Sequence, residues 1–264
     1  ETLIPRWLVQ LRQRQLAETV YKNSVKSATL LLEAPTGLGK TLGTLFPALK
    51  AMPAAGQDRL FYLTCRNTAR SLAMDGVARL QATQELPRWP LRTLELVSKD
   101  DACEHPDKAC HGESCPLAKG FFDRLPDARA EAAQTEGTLD QAVLAKIATG
   151  HDICPYFLAQ DMARWSDVVV GDVNRLLDQS ALFHGLIRQN SWKVSVLVVE
   201  AHNLVDRGRG MYSVRLDQQR LLRVKKTAPK ARKPAIDRTA RAWQNLIRDH
   251  QRDDNTPVFL DSLP

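Results

Sequence analysis

The chain has 264 residues, 44% of them hydrophobic and 25% charged, which suits a globular protein with one sizeable core or a core carrying an inserted subdomain. No run of about 18 apolar residues occurs, which excludes a membrane-spanning helix. The net charge of +7 is unevenly spread: 207–252 carries 14 Lys or Arg against 3 Asp, a net of +11, so the rest of the chain sums to −4. Such a segment points to a polyanionic partner, or else to a solvated helix surface or linker. The chain opens at Glu1 without a methionine or an apolar signal region, and it is expected to be a piece of a longer polypeptide.

Residues 1–27 are polar, with a partly helical spacing at Leu8, Leu11, Leu16, Val20 and Tyr21. The apolar run 29–32 predicts a short buried strand, and 42–50 a helix carrying Leu42, Leu45, Phe46 and Leu49 inward. Between them lies Ala34-Pro35-Thr36-Gly37-Leu38-Gly39-Lys40-Thr41. Strand, glycine loop and helix together form the context of a phosphate-binding loop. Backbone N–H groups and the helix dipole meet an anion there, and Gly37 and Gly39 let the backbone approach. Lys40 is placed to reach the outer phosphates and the Thr41 hydroxyl to ligate Mg²⁺. The strict pattern begins with glycine, and here that position is Ala34.

Beyond the turn region 53–58, residues 60–64 predict a second buried strand, 66–84 a helix and 91–97 a third strand. Further strands are expected at 167–171 and 194–199, both short, β-branched and apolar like central parallel strands. Strands alternating with helices predict an α/β fold, a parallel sheet with helices on both faces. The stretch 98–152 interrupts this rhythm with cysteines, turns and an Ala-rich helical segment at 127–148, and is read as an insertion. After residue 204 the composition turns basic, Pro229 and Pro234 break the helical pattern, and one helix is expected at 238–250.

Cys103, Cys110, Cys115 and Cys154 are separated by 6, 4 and 38 residues, with Cys65 apart from them. Disulfides are disfavoured because nucleotide-hydrolysing domains work in reducing compartments. By spacing, a zinc site completed by His105 or His111 and a four-thiolate iron–sulfur cluster both remain open.

The residues after the fourth cysteine carry a resemblance. Cys154-Pro155-Tyr156-Phe157-Leu158-Ala159, then Asp167-Val168-Val169-Val170 and Asn174-Arg175-Leu176-Leu177-Asp178, resemble the iron–sulfur helicases of the XPD/DinG family, in its bacterial DinG-like branch. The similarity runs from about residue 13 to 204 and rests on several ordered motifs. It implies a RecA-like motor domain in two parts, 1–97 and 156–206. Between them would lie a 4Fe–4S insertion at 98–155 held by Cys103, Cys110, Cys115 and Cys154. The basic segment 207–264 would begin a helical arch. Gln13, ahead of Gln15, would read adenine, since an amide offers a paired donor and acceptor. Thr64 and Arg66 would touch the DNA backbone.

Glu200-Ala201-His202-Asn203-Leu204 resembles the end of a DEAH box, with Glu200 activating water and His202 coupling nucleotide to DNA. The family has an aspartate before that glutamate to support Mg²⁺, and here Val199 stands before Glu200. Either valine replaces the aspartate in place, or the aspartate is missing and Glu200 slides into its position, because a one-residue slip turns strand side chains over, or one residue is simply omitted from the sequence at this point. Nothing after residue 204 resembles the second motor lobe or its arginine finger. The implied function is the first motor lobe of an ATP-dependent 5′→3′ DNA helicase using ATP, Mg²⁺ and a 4Fe–4S cluster. It would act as a monomeric motor on single-stranded DNA and duplex junctions, in the cytoplasm at the nucleoid. The alternatives are a hydrolysis-deficient ATP- and DNA-binding module and a zinc-bearing structural adaptor.

Overall fold

The computed structural model describes residues 11–35, 37–65, 67–83, 91–178, 182–250, 258 and 260. They fall into two units, Glu1–Met211 and Tyr212–Pro264.

The first unit opens with helix α1 (Leu11–Val25) and α2 (Lys40–Ala55), followed by strand β1 (Arg59–Thr64), α3 (Asn67–Ala82) and β2 (Thr93–Glu95). The short α4 (Lys99–Ala102) leads through a loop to α5 (Phe121–Gln134), β3 (Thr138–Leu139), α6 (Gln141–Gly150) and α7 (Pro155–Met162). Then come β4 (Val168–Asp172), α8 (Asn174–Leu177), α9 (Leu182–Asn190), β5 (Val194–Val198), a 3₁₀ turn (Ala201–Asn203) and α10 (Leu204–Met211). The five strands are parallel, in the order β3-β2-β4-β1-β5. The α/β fold expected from the alternation is therefore the fold observed.

Side chains alternate across a strand, so β1 feeds two cores. Leu60 and Tyr62 join Val168 and Val170 under α1, α2 and α3. Phe61 and Leu63 join Leu94, Leu96 and Val169 under α5, α6, α7 and α9, where Phe61 stacks on Phe183 at 4.3 Å between ring centroids. Burial on both faces is why the run 60–64 is continuously apolar.

Three expectations change. Residues 29–32 form no strand: Leu31 is 89% exposed, because a strand exists only through pairing and no described strand flanks this segment. The run 194–199, expected to be central, yields the edge strand β5, and Val196 is exposed accordingly. The Ala-rich segment 127–148 is two helices rather than one. Thr138 and Leu139 between them pair with Thr93 and Leu94, and Leu125, Ala128, Leu144 and Ile147 belong to the same core as β4. Much of the stretch read as an insertion thus packs on the sheet.

The second unit holds α11 (Gln218–Thr227) and α12 (Lys233–His250). Asp217 caps α11 by accepting from the Arg220 N–H at 2.8 Å, and Lys225 pairs with Asp237 at 3.1 Å. Pro234 falls in the first turn of α12, where no intrahelical donor is lost, so the helix starts earlier than expected. Leu221 and Ala240 are buried, while the basic side chains are mostly exposed, Arg223, Lys226, Arg238 and Arg241 among them. No helix among the described residues is long and apolar enough to cross a membrane.

Replacing Phe61 by Ala should cost about 3–5 kcal/mol of unfolding free energy in urea denaturation, as for other fully buried aromatics. A loss under about 1 kcal/mol would show that the stacked pair is not central to the core.

Candidate functional site

The glycine loop acts through one backbone conformation. Gly37 has φ 84°, and Gly39, with φ 75° and ψ 34°, caps α2. The left-handed region favours glycine at both positions. Position 39 is also crowded, since a Cβ there would stand 3.0 Å from the Gln13 side-chain nitrogen. Gln13, on α1, is therefore held against the loop, whereas Gln15 is exposed. The sixteen-residue α2 starts at Lys40, so the unpaired N–H groups and positive dipole end of its first turn open at the loop. The Lys40 ammonium donates to the Ala34 carbonyl at 2.8 Å, spanning the loop that Pro35 and Leu38 complete. The Thr41 hydroxyl is hydrogen-bonded with the Tyr62 phenol. Burial pushes the Tyr62 phenol above its usual range, and that hydrogen bond offsets part of the rise. Thr36 lies outside the described residues.

At the end of β5 the alternation settles the register. Val194 and Val198 pack on the α5–α7 side, whereas Leu197 and Val199 pack on the core beneath α1–α3, as do Leu38 and Leu42. The Val199 N–H still donates to the Leu63 carbonyl at 2.9 Å, so β5 is in register to its end. Val199 thus faces the α2 side of the sheet, and Glu200 follows it in the turn after β5. Glu200 itself lies at φ 58° and ψ 44°, a left-handed conformation that costs a side-chain-bearing residue about 1–2 kcal/mol. His202 Nε2 stands 3.5 Å from the Glu200 carboxylate, and the Asn203 amide donates to the Glu200 carbonyl at 3.2 Å. Glu200 and His202 are thereby brought together in a largely exposed turn.

Two residues expected to touch DNA fare differently. Thr64 is 1% exposed, so its side chain presents no surface to a backbone phosphate in this arrangement. Arg66 lies outside the described residues.

The four cysteines line one cavity with Lys99, His105, Tyr156 and Phe157. Cys154 caps α7, with Pro155 in its first turn and the Tyr156 and Phe157 N–H groups close by. Burial pushes the Cys154 thiol up; those N–H groups lower it in part, and the neighbouring Cys103 and Cys110 raise it. Cys103 ends α4, where the Ser98 hydroxyl accepts from the Asp101 N–H at 3.1 Å. Almost fully buried Arg70 of α3 fixes α4, reaching Glu95 at 3.6 Å and Asp101 at 3.9 Å. All four donors are thiols converging on a single space, which suits a thiolate-held group. Among the described residues, however, no three His, Cys, Asp or Glu side chains stand close enough to hold one metal ion as they are.

Several working residues were not visible in the sequence. Lys99 is hydrogen-bonded to Cys110, whose thiol holds the ammonium above its usual range. Arg175 donates to the Val97 carbonyl at 2.6 Å and lies over the Tyr156 ring, tying the segment after Cys154 to the end of β2. Arg207, read only as part of the basic run, donates to the Cys65 carbonyl at 2.8 Å and approaches Asp172 at 3.7 Å. The carbonyls that Arg175 and Arg207 reach lie 78 and 142 residues away, so only the tertiary fold brings those partners together.

A glycine loop capping a helix beside the C-terminal ends of a parallel sheet defines a P-loop-type α/β domain. The chain belongs to the DEAD_2 family, whose model matches residues 88–221. It is similar to a regulator of telomere elongation helicase 1 homolog of Culex quinquefasciatus, 24% identical over 255 residues, covering 73% of this chain and 26% of that protein. The homolog of Anopheles gambiae is 25% identical over 215 residues, covering 75% and 20%, and the Homo sapiens protein is 24% identical over 220, covering 66% and 18%. The chain thus spans about a quarter or less of these relatives. Among solved structures it resembles an XPD helicase at TM-score 0.63 and 16% identity, covering all of this chain and 44% of that one. A truncated XPD matches at TM-score 0.60 and 15% identity, covering 95% and 69%. Those two likenesses concern the fold.

Because Glu200 adopts a left-handed backbone, Glu200→Gly should be more stable than Glu200→Ala by about 1 kcal/mol in chemical denaturation. Equal stabilities would mean that the turn relaxes freely.

Proposed function

We propose that this chain is the first motor lobe of an ATP-dependent DNA helicase of the XPD/DinG kind, moving 5′→3′ on single-stranded DNA. The observation that carries the reading is the loop from Ala34 to Thr41, with Gln13 against Gly39 and Lys40 at the start of α2. Membership of the DEAD_2 family and relatives named as helicases support it. Loop amides and Lys40 would hold the phosphates of ATP, Gln13 would read the adenine, and Glu200 with His202 would link the nucleotide to DNA. Magnesium would arrive with the triphosphate, beside Thr41. The exposed basic side chains of α11 and α12 would meet the DNA backbone, a contact weakened by salt.

Cys103, Cys110, Cys115 and Cys154 would hold a 4Fe–4S cluster. A single zinc ion needs its ligands within about 2.3 Å of one point. Four thiols around one cavity, whose sulfurs do not close on one point, suit a larger cluster better, although His105 lines the same cavity. When bound, the cluster would cross-link the loop-rich segment between α4 and α5 to the start of α7.

The second reading is a nucleotide-dependent DNA-binding module with little hydrolysis. Val199 facing α2 favours it, because no carboxylate stands where the family's aspartate would.

In the full-length protein, DNA should stimulate ATP turnover and Lys40→Ala should abolish it; absence of stimulated turnover would sink the motor reading and leave the module. Cys110→Ser should remove the brown colour and bound iron. An iron-free protein that still unwinds DNA would count against the cluster.

A further inference from the structure

The turn that carries Glu200 and His202 is pinned at both ends to the exit of β1. Before it, the Val199 N–H donates to the Leu63 carbonyl at 2.9 Å; after it, the Arg207 guanidinium on α10 donates to the Cys65 carbonyl at 2.8 Å. The same guanidinium nitrogen faces the Asp172 carboxylate at 3.7 Å, and Asp172 is the residue paired with Thr64 across the sheet. The other oxygen of that carboxylate accepts from the Asn174 N–H at 2.9 Å, which fixes its direction. One side chain thus joins the ends of β1 and β4 to the helix that follows the turn. Because the Arg207 side chain is 41% exposed, the ion pair adds little to stability, and its consequence is positional. Cys65 is also where the chain leaves β1 for α3, a sixteen-residue helix whose positive N-terminal end lies at the same edge. A backbone phosphate settling there shifts the segment whose carbonyl Arg207 holds, and the turn with it.

We propose that Arg207 is a positioning residue that couples DNA bound after β1 to the nucleotide site, by tying the Cys65 carbonyl to the Glu200–His202 turn. The inference rests on the nucleotide-and-DNA reading above and deepens it by naming the link between the two ligands. Such coupling is reciprocal, so each ligand changes the affinity of the other by one factor.

Calorimetric titration of the full-length protein with the non-hydrolysable analogue AMP-PNP, with and without saturating single-stranded oligothymidylate, measures that factor. In the native protein it should be at least about fivefold. In Arg207→Gln it should fall to within about twofold of unity, while each ligand alone binds within about threefold of native affinity. Arg207→Lys, which keeps one donor for the Cys65 carbonyl, should keep more of the factor than Arg207→Gln. Arg209→Gln, which removes an equal charge from the same helix, should keep all of it. A folded Arg207→Gln protein with the native factor would overturn the inference. So would loss of oligonucleotide binding by Arg207→Gln in the absence of nucleotide, since Arg207 would then be a direct DNA contact. If Arg207→Gln does not fold, Asp172→Asn carries the test, and an unchanged factor there overturns the inference equally. A native protein that binds both ligands with a factor near unity would overturn it while leaving both sites intact. Failure of the native protein to bind either ligand would overturn the underlying reading, and the inference with it.

Discussion

Everything in the first unit depends on β1 being paired on both sides. Its hydrogen bonds to β4 and β5 bring the ends of three strands into one row, with Thr64 opposite Asp172 and Leu63 opposite Val198. Because the strands are parallel, all three chains leave the sheet at the same edge. Ligand chemistry in open α/β sheets gathers at that edge, outside the carboxyl ends of the strands. Arg207 reinforces the row by bonding the Cys65 carbonyl after β1 while facing Asp172 at the end of β4.

The cysteine cavity depends on the same sheet at one remove. Cys154 is separated from Cys115 by 38 residues, yet both line one space because α7 packs on α5 and α6 over β2 and β4. The nearly buried Arg70 holds the other wall through Glu95 and Asp101. Burying a guanidinium is costly unless carboxylates face it, so its two acidic neighbours make α4 a fixed platform for Cys103 rather than a loose loop. The cavity is assembled from the end of α4, the loop after it and the start of α7.

How much of this was readable in advance follows from how local each signal is. The run 60–64, buried on both faces, and the glycines at 37 and 39, needed for a left-handed turn, follow from composition within a few residues. Residues 29–32 carry an equally apolar signal and form no strand, because strand formation needs a partner that the run cannot specify. The segment 127–148 has high helix propensity throughout, yet Thr138 and Leu139 interrupt it to join the sheet edge, where pairing with β2 outweighs propensity. The partners of Arg175 and Arg207 could not be read in advance, since the carbonyls they reach lie far away in sequence.

By itself the sequence determined the α/β alternation, the phosphate-type loop, the four thiols and the valine before Glu200. These are matters of residue type and short spacing, which covalent geometry converts directly into local structure. The tertiary structure alone decided that Val199 faces α2, that Thr64 is buried, that β5 is an edge, and that four scattered thiols share one cavity. Facing, burial and convergence depend on which elements pair and pack, and those choices are made between segments distant in the chain.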